Sequence, residues 1–489
     1  MVGLESLLLV FLGLLVGMIV GVLPGLSATM GVAILMPLTF AMSPENGIAT
    51  LLGVYCGSIY AGSISAILVN IPGTPAAIAT NFDGHPLAKR GEAGRAIGMA
   101  TVSSFIGGTA SVFVLIFLAP QVANFALSFG PPEFFALAVF GLSIIGSISG
   151  DSLPKGLVAG CIGLFLATVG MDPISSHPRY IFGRTELLSG VLLVPVLLGL
   201  FGLAEVLAQL NDKTTVKVLQ QKLKNLVPSL VDMKKCAKTI VRGTIIGTVV
   251  GAIPAAGAPI ASLLSYNEAK RNSKDPDSFG KGNIEGIAAP ESANNASTGG
   301  ALIPLLTLCI PGDGVTAILL GAFMVHNITP GPLLFQEHPA LIKSIYSSLI
   351  FANFGILVCG LLLAGFFARL ISIPRYYLLP TITLLSIVGT YSLQNNIFDV
   401  WIMIFFGVIG YILNFLGIPF GPIILGLILG PIAESNFRRS VIMSDGNLTI
   451  FFTRPISLLL LVVTVLILVS PVLKKHYTKK KQMSAHGAS

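Results

Sequence analysis

Long apolar runs dominate the chain, and short clusters of Gly, Pro, Ser, Thr and Asn punctuate them. A run of about 18 residues or more is long enough to cross roughly 30 Å of hydrocarbon. Candidate runs lie at 4–23, 47–71, 96–119, 132–149, 155–171, 187–209, 239–253, 296–310, 344–368, 377–393, 400–416, 419–433 and 455–473, with the heaviest interruptions between 240 and 310. The pattern predicts an all-α polytopic membrane protein of roughly 11–13 membrane segments. The expected division is a first membrane repeat over 1–210, a basic amphipathic cytoplasmic or interfacial linker over 211–238, a second repeat over 239–435, and a final membrane helix with a basic tail over 436–489. The first run has no basic region ahead of it and is followed by further membrane runs, so it is expected to stay in place as a helix rather than be cleaved as a leader.

Composition sharpens this picture. Of 489 residues, 54% are hydrophobic and only 10% charged, against about 25% charged in ordinary soluble proteins. The net charge of +8 is concentrated: region 212–242 holds eight Lys/Arg against two Asp, and 474–489 holds five Lys and no acid. Basic residues at the edges of apolar runs follow the positive-inside rule and argue against a nucleic-acid surface. Within the linker, Val216, Leu219, Leu223 and Leu226 recur at helical spacing with Lys213, Lys217 and Lys224 between them, as in an interfacial helix; a solvated linker is the alternative. Cys56, Cys161, Cys236, Cys309 and Cys359 form no CxxC, and no His/Cys/Asp/Glu group has metal-ligand spacing, so no transition-metal site, disulfide framework or catalytic residue is expected.

The two halves resemble each other. Gly17-x-x-x-Gly21-x-x-Pro24 recurs as Gly247-x-x-x-Gly251-x-x-Pro254, Asn70-Ile71-Pro72-Gly73 as Cys309-Ile310-Pro311-Gly312, and His85-Pro86 as His338-Pro339, at offsets of 230, 239 and 253 residues. Matched Gly/Pro interruptions in two repeats are the best sequence pointer to the site of a secondary transporter. Whether the repeats are inverted or parallel turns on whether 26–41 crosses the bilayer.

Each interruption carries candidate chemistry. Pro24-Gly25 should break the first helix, because Pro lacks a donor and Gly permits turns closed to other residues. A break inside a bilayer persists only where protein or water satisfies the freed backbone groups. Freed N–H groups at a half-helix start attract a carboxylate and freed carbonyls hold Na⁺, with hydroxyls of Ser27 and Thr29 beside them; a plain kink is the alternative. Asn70, Pro72, Gly73 and Thr74 end the next run, with Ser65 upstream. Asp83-Gly84-His85-Pro86 lead to the charged run Lys89–Arg95, which reads as an interfacial loop and helix start; a direct substrate role is the alternative. In the second half, Asn294, Asn295, Ser297 and Thr298 are costly in hydrocarbon unless paired. Glu291 is either a proton- or cation-linked carboxylate or a helix N-cap. Pro311, Gly312, Asp313 and Thr316 form the second break, and Asp313 between two apolar runs is a functional candidate by default.

These residues together resemble the large membrane subunit of the tripartite tricarboxylate transporters. The resemblance rests on Gly21-x-x-Pro24-Gly25, Asn70–Pro75, Asp83–Pro86, Gly91–Ala96, Ala289–Ala296 and Pro330–Pro332, and covers about Gly17 to Leu334. One departure is Cys309, where the family pattern places Gly. The resemblance implies a multi-pass permease of the bacterial inner membrane, partnered by a small membrane subunit and a periplasmic substrate-binding protein. It implies uptake of citrate-like tricarboxylates or related organic acids by symport with Na⁺ or H⁺ rather than ATP, and no Walker-type phosphate loop occurs in the chain. The expected substrate-binding residues are Pro24, Gly25, Ser27, Asn70, Pro72, Gly73, Thr74, Asn294, Asn295, Ser297 and Thr298. The ion-coupling candidates are Thr29, Ser65, Glu291, Pro311, Gly312, Asp313 and Thr316. The central linker and C-terminus are expected in the cytoplasm, no cofactor beyond the coupling ion is expected, and a homodimer is left open. A passive organic-anion channel is the alternative function; an intramembrane protease fits less well, since no Gly-x-Gly-Asp or Gly-x-Ser-x-Gly occurs.

Overall fold

A computed structural model describes residues 3–143, 152–210, 223–254, 256–371, 373 and 375–468. Residues 211–222 of the expected linker and the basic tail (474–489) fall outside these residues; of the rest of the linker, 223–229 are not helical and 230–238 are. In chain order the main helices are α1 (Leu4–Val22), α2 (Ala28–Leu35), α3 (Pro44–Val69), α4 (Ile78–Lys89), α5 (Ala93–Ala126), α6 (Pro131–Ser143) and α7 (Leu153–Ala167). They continue as α8 (Leu193–Leu210), α9 (Leu230–Ala252), α10 (Gly257–Asn272), α11 (Glu285–Leu308), α12 (Gly314–Val325) and α13 (Pro339–Leu362). The last are α14 (Arg375–Gln394), α15 (Ile397–Phe415), α16 (Gly421–Met443) and α17 (Pro455–Leu468). Among the described residues, seven helices are long and apolar enough to cross a membrane, and five shorter helices are also apolar. The protein is an all-α polytopic membrane protein.

The chain forms two compact units, one of residues 1–127 and 194–412 and the other of 128–193 and 413–489. In the second unit α16 packs on α6 and α7, with Gly163 against the Ile423 carbonyl and Gly426 against that of Gly160. A short hairpin pairs Gly170–Met171 with Pro178–Arg179. Beside it, Asp172 accepts Arg438 at 2.8 Å and Arg179 holds Glu434 at 2.7 Å. The Ser175 and Ile174 amides, with Arg438, hold the Asp172 carboxyl below the usual carboxylate range.

The first unit holds the repeat, and its close glycine contacts set the helix directions. A Cβ added at Gly13, Gly17 or Gly21 would lie 2.2, 2.3 or 2.3 Å from the carbonyl oxygens of Thr50, Val54 and Ser58. The order is the same on both helices, so α1 and α3 run parallel, and residues 23–43 carry the chain back between them. Gly243, Gly247 and Gly251 likewise face the carbonyls of Ala289, Ala293 and Ser297, making α9 and α11 parallel. Small residues permit this approach, which is how helices associate where no hydrophobic force acts between them.

The repeats are tied together by exchange. Helix α5 crosses to pack along α11, and α13 crosses to pack along α3. Ser104 meets Glu291 and Ser111 meets Gly299, so α5 is parallel to α11. Gly355 meets Leu14, itself level with Gly57, and Gly360 meets Tyr60, so α13 is parallel to α3. Between α5 and α13 the order reverses: Thr101 meets Gly360, Phe105 stacks edge-on against Phe354 at 5.1 Å, and Gly108 meets Asn353. Hence α3 and α11 are antiparallel and the two repeats are inverted, the arrangement that places a site between them in many carriers.

Candidate functional site

The helix breaks repeat in detail. Helices α1 and α9 both end on an extended residue, Leu23 and Ile253, whose amides donate to Val20 and Val250. Helices α3 and α11 both end on a left-handed residue, Asn70 at φ 62° and Cys309 at φ 59°. Gly normally takes this conformation without strain, which accounts for the Gly expected at 309. A Cβ at Gly73 would lie 1.9 Å from the Gly21 carbonyl oxygen, and one at Gly312 would lie 2.8 Å from that of Gly251. The second break of each half therefore rests on the end of the first, and only Gly fits.

The breaks then cross between halves. Tyr55 on α3 donates to Asp313 at 2.6 Å, across to the second half's break. Asn294 on α11 lies at the offset of 239 residues from Tyr55, and donates at 3.3 Å to the Ala76 carbonyl beyond the first half's break. Gly314 faces Thr29 at the start of α2, and Gly257 at the start of α10 faces the Asp313 side chain. Helix α10 also packs on the Pro75–Ala77 turn. The helix starts at Thr29 and Gly257 thus lie with the 311–316 break around Asp313, and α10 reaches from there to the Pro75–Ala77 turn.

Asp313 is the N-cap of α12 in a capping box: its side chain accepts the Thr316 amide at 2.8 Å, and the Thr316 hydroxyl lies 2.8 Å from the Asp313 amide. Asp313, Gly314, Ser27 and Thr29 are half-buried and Gly25 is exposed, so the Asp313 cluster is not sealed. Ser27 caps α2 by accepting from the Met30 amide at 3.1 Å, and the Gly25 carbonyl accepts from Gln209. Thr74 is buried, and its hydroxyl has no hydrogen-bond partner among the described residues. Pro24 is buried and Pro72 half-buried in the turns they terminate, and Pro311 and Gly312 are buried beneath Asp313.

A second cluster is closed. Glu291 is fully buried and accepts from Thr80, from Ser104 at 3.0 Å and from Asn294 at 3.3 Å. Asn295 donates to Ser104 at 2.8 Å and to the Asn294 amide oxygen at 2.6 Å. Ser297 and Thr298 donate to the carbonyls of Asn294 and Asn295 within their own helix, and Ser65 to that of Gly62. The structure thus separates the expected constellation into an open Asp313 cluster and a sealed Glu291 network, with Asn70 exposed at the end of α3. Glu291 lies inside α11, which begins at Glu285 and runs through Pro290, so the N-cap alternative is corrected. The charged run 89–95 spans the end of α4 and the start of α5, and Asp83–Pro86 lie within α4. There Asp83 accepts the amides of Gly280, Gly282 and Asn283 and the Tyr266 hydroxyl at 2.8 Å, pinning the loop before α11.

Sequence reasoning missed Tyr55, Thr80 and Ser104, which stand as single hydroxyls inside apolar stretches. The repeat offset was the available signal for Tyr55, since it pairs that position with Asn294.

An inverted repeat of doubly broken helices, with half-buried Asp313 where their ends cross, is an architecture that membrane transporters use. The family model described as the Tripartite tricarboxylate transporter TctA family matches residues 7–425, and the chain belongs to that family. It is 40% identical over 453 residues, 93% of this chain and 90% of the relative, to an uncharacterized 52.8 kDa protein in the TAR-I ttuC' 3' region of Agrobacterium vitis. It is 40% identical over 237 residues, 48% of this chain and 98% of the relative, to an uncharacterized protein in the TAR-II ttuC' 3' region of the same organism. No solved structure matches. The chain is a multi-pass membrane protein and the large subunit of a tripartite tricarboxylate transporter, a member of a transporter family.

Proposed function

We propose that this chain is the permease of a binding-protein-dependent secondary importer of organic acids, citrate-like tricarboxylates among them, driven by a Na⁺ or H⁺ gradient. It works with a small membrane subunit and a periplasmic substrate-binding protein, in the bacterial inner membrane. The single observation that carries this reading is the meeting of broken-helix ends from both inverted repeats around half-buried Asp313.

Half-helix starts at Ser27–Thr29 and Thr74–Pro75 present N–H groups that favour a carboxylate. The Thr74 hydroxyl, buried without a partner, is available to the substrate. Asp313, with the carbonyls freed around Pro311 and Gly312, suits a cation, and that cation offsets the repulsion between Asp313 and an anionic substrate. Binding both together is therefore favoured over binding either alone, which is the requirement for symport. Glu291, Asn294, Asn295, Thr80 and Ser104 hold the 75–80 segment against α11 and position it. Transport follows by moving the α2, α4, α10 and α12 ends relative to a scaffold.

Orientation follows from charge. The face on which α5, α9 and α11 begin carries Arg90, Arg95, Lys235, Lys238 and Arg242, so we place it in the cytoplasm, with the central linker and C-terminus. The test is uptake of labelled citrate and other organic acids into proteoliposomes holding both membrane subunits, with the binding protein present and Na⁺ and H⁺ gradients imposed separately. Accumulation should follow one gradient. Uptake that equilibrates without accumulating, and without counterflow exchange, would identify a passive channel instead.

A further inference from the structure

On the face where α9 and α11 begin lies a cavity of about 860 Å³, lined by the first turns of α9, the 270–285 loop and the 90–95 segment. Seven of its lining residues are Lys or Arg and two are acidic. Several cations are already engaged: Arg95 binds Asp232 at 2.6 Å and Glu92, Arg242 binds Glu268 at 3.4 Å, and Arg90 donates to the Lys281 carbonyl. Lys235, Lys238, Lys274 and Lys281 have no carboxylate within ion-pairing distance among the described residues. Of the acids, Glu285 is occupied by the Thr239 hydroxyl at 3.0 Å. Four unpaired ammonium groups around one cavity repel each other, and an anion relieves that repulsion.

The cavity does not stand alone. One to two turns further along the same helices, α9 and α10 form a groove of about 530 Å³ whose apolar lining includes Ile245, Ile246, Val249 and Leu264. Its outer rim faces away from the protein: Ile245 is 59% exposed and Val249 57% exposed. The Arg242–Glu268 pair lies at the junction, with Arg242 lining the cavity and Glu268 the groove. A cationic pocket at the membrane face that continues into an apolar groove directed along the helices matches one ligand class, a molecule with a phosphate head and an acyl tail. A soluble anion would leave the groove empty, and a neutral lipid would leave the lysines uncompensated.

The geometry points to a binding site for an anionic phospholipid, with its phosphate among Lys235, Lys238, Lys274 and Lys281 and an acyl chain in the α9–α10 groove. Each Lys or Arg near such a headgroup contributes on the order of 1 kcal/mol. The site braces α10, which reaches the Asp313 cluster through Gly257, so its occupant can bear on the transport site.

The test is native mass spectrometry of the full chain released from nanodiscs containing equal phosphatidylglycerol and phosphatidylcholine. The expected result is selective retention of phosphatidylglycerol, reduced about 30-fold by the double variant Lys235→Gln/Lys238→Gln. The double variant Lys235→Arg/Lys238→Arg should keep retention, which separates lost charge from a failure to fold. Val249→Trp, which fills the groove, should reduce lipid retention as well. Equal retention of the two lipids would overturn the proposal. So would glycerol phosphate or inorganic phosphate binding as tightly as the lipid with no effect of Val249→Trp, since the occupant would then be a soluble anion. A photocrosslinker at Ile245 should label lipid; labelling of a protein helix alone would also overturn it.

Discussion

Tyr55 and Asn294 occupy the same position in the two repeats and do different work. Each reaches from the central helix of its own half to the second break of the other half. Tyr55 meets a carboxylate, Asp313, that is half-buried and sits among exposed and half-buried helix ends. Asn294 meets a backbone carbonyl and belongs to a network in which Glu291 is fully buried and supplied by three neutral donors. The inverted symmetry therefore builds two crossings of one backbone design, one left half-exposed and one closed by side chains. The difference shows how a repeat diverges: the backbone break is kept, while the side chains decide which copy stays open and which is closed.

That comparison can be broken at several points. The largest effect is expected at Asp313. Asp313→Asn keeps the size and a cap for α12 but removes the charge, and should lower gradient-driven uptake by about a hundredfold, with membrane insertion and thermal stability close to wild type. Glu291→Ala should do the reverse. It strands the donors of Thr80, Ser104 and Asn294, costing about 3 kcal/mol of stability, read as a lowered thermal midpoint, while uptake per folded molecule stays within about twofold. A Glu291→Ala protein of unchanged stability but without uptake would place the coupling chemistry in the closed cluster.

Smaller effects sharpen the same contrast. Tyr55→Phe removes one hydrogen bond to a charged group, worth about 1.5 kcal/mol, and should weaken apparent coupling-ion affinity about tenfold in uptake titrations. Asn294→Ala should lower stability by about 1 kcal/mol rather than change ion affinity. At the left-handed helix ends, Cys309→Val should cost about 1–2 kcal/mol because a β-branched side chain resists positive φ. Cys309→Gly should leave thermal stability unchanged or raised, which a melting curve would check.

Much of this organisation is legible in the sequence because it depends on residues close together in the chain. The apolar runs give helices, and Pro24-Gly25, Pro72-Gly73 and Pro311-Gly312 give breaks, since Pro and Gly act on their own backbone. The repeat is legible because both halves must solve the same close contact of Gly73 on Gly21 and Gly312 on Gly251. The inversion is not legible. It follows from which residues of α5 and α13 meet, such as Thr101 with Gly360 and Gly108 with Asn353, and these are more than 200 residues apart in the chain. The division into open and closed clusters is hidden for the same reason: Thr80 and Ser104 reach Glu291 from other helices, and isolated hydroxyls in apolar runs look like packing residues. Only burial distinguishes Glu291 from Asp313, and burial is a property of the assembled fold.

Coupling of cation and organic acid is the role proposed for the crossing of broken helices at Asp313. It is tested most directly by concentrative uptake of labelled organic acid into proteoliposomes, measured side by side for wild type and Asp313→Asn at the same reconstituted amount. Wild type is expected to accumulate substrate when the cation gradient is imposed, and Asp313→Asn is expected not to. Accumulation by Asp313→Asn at the wild-type level, under the same gradient, would contradict it.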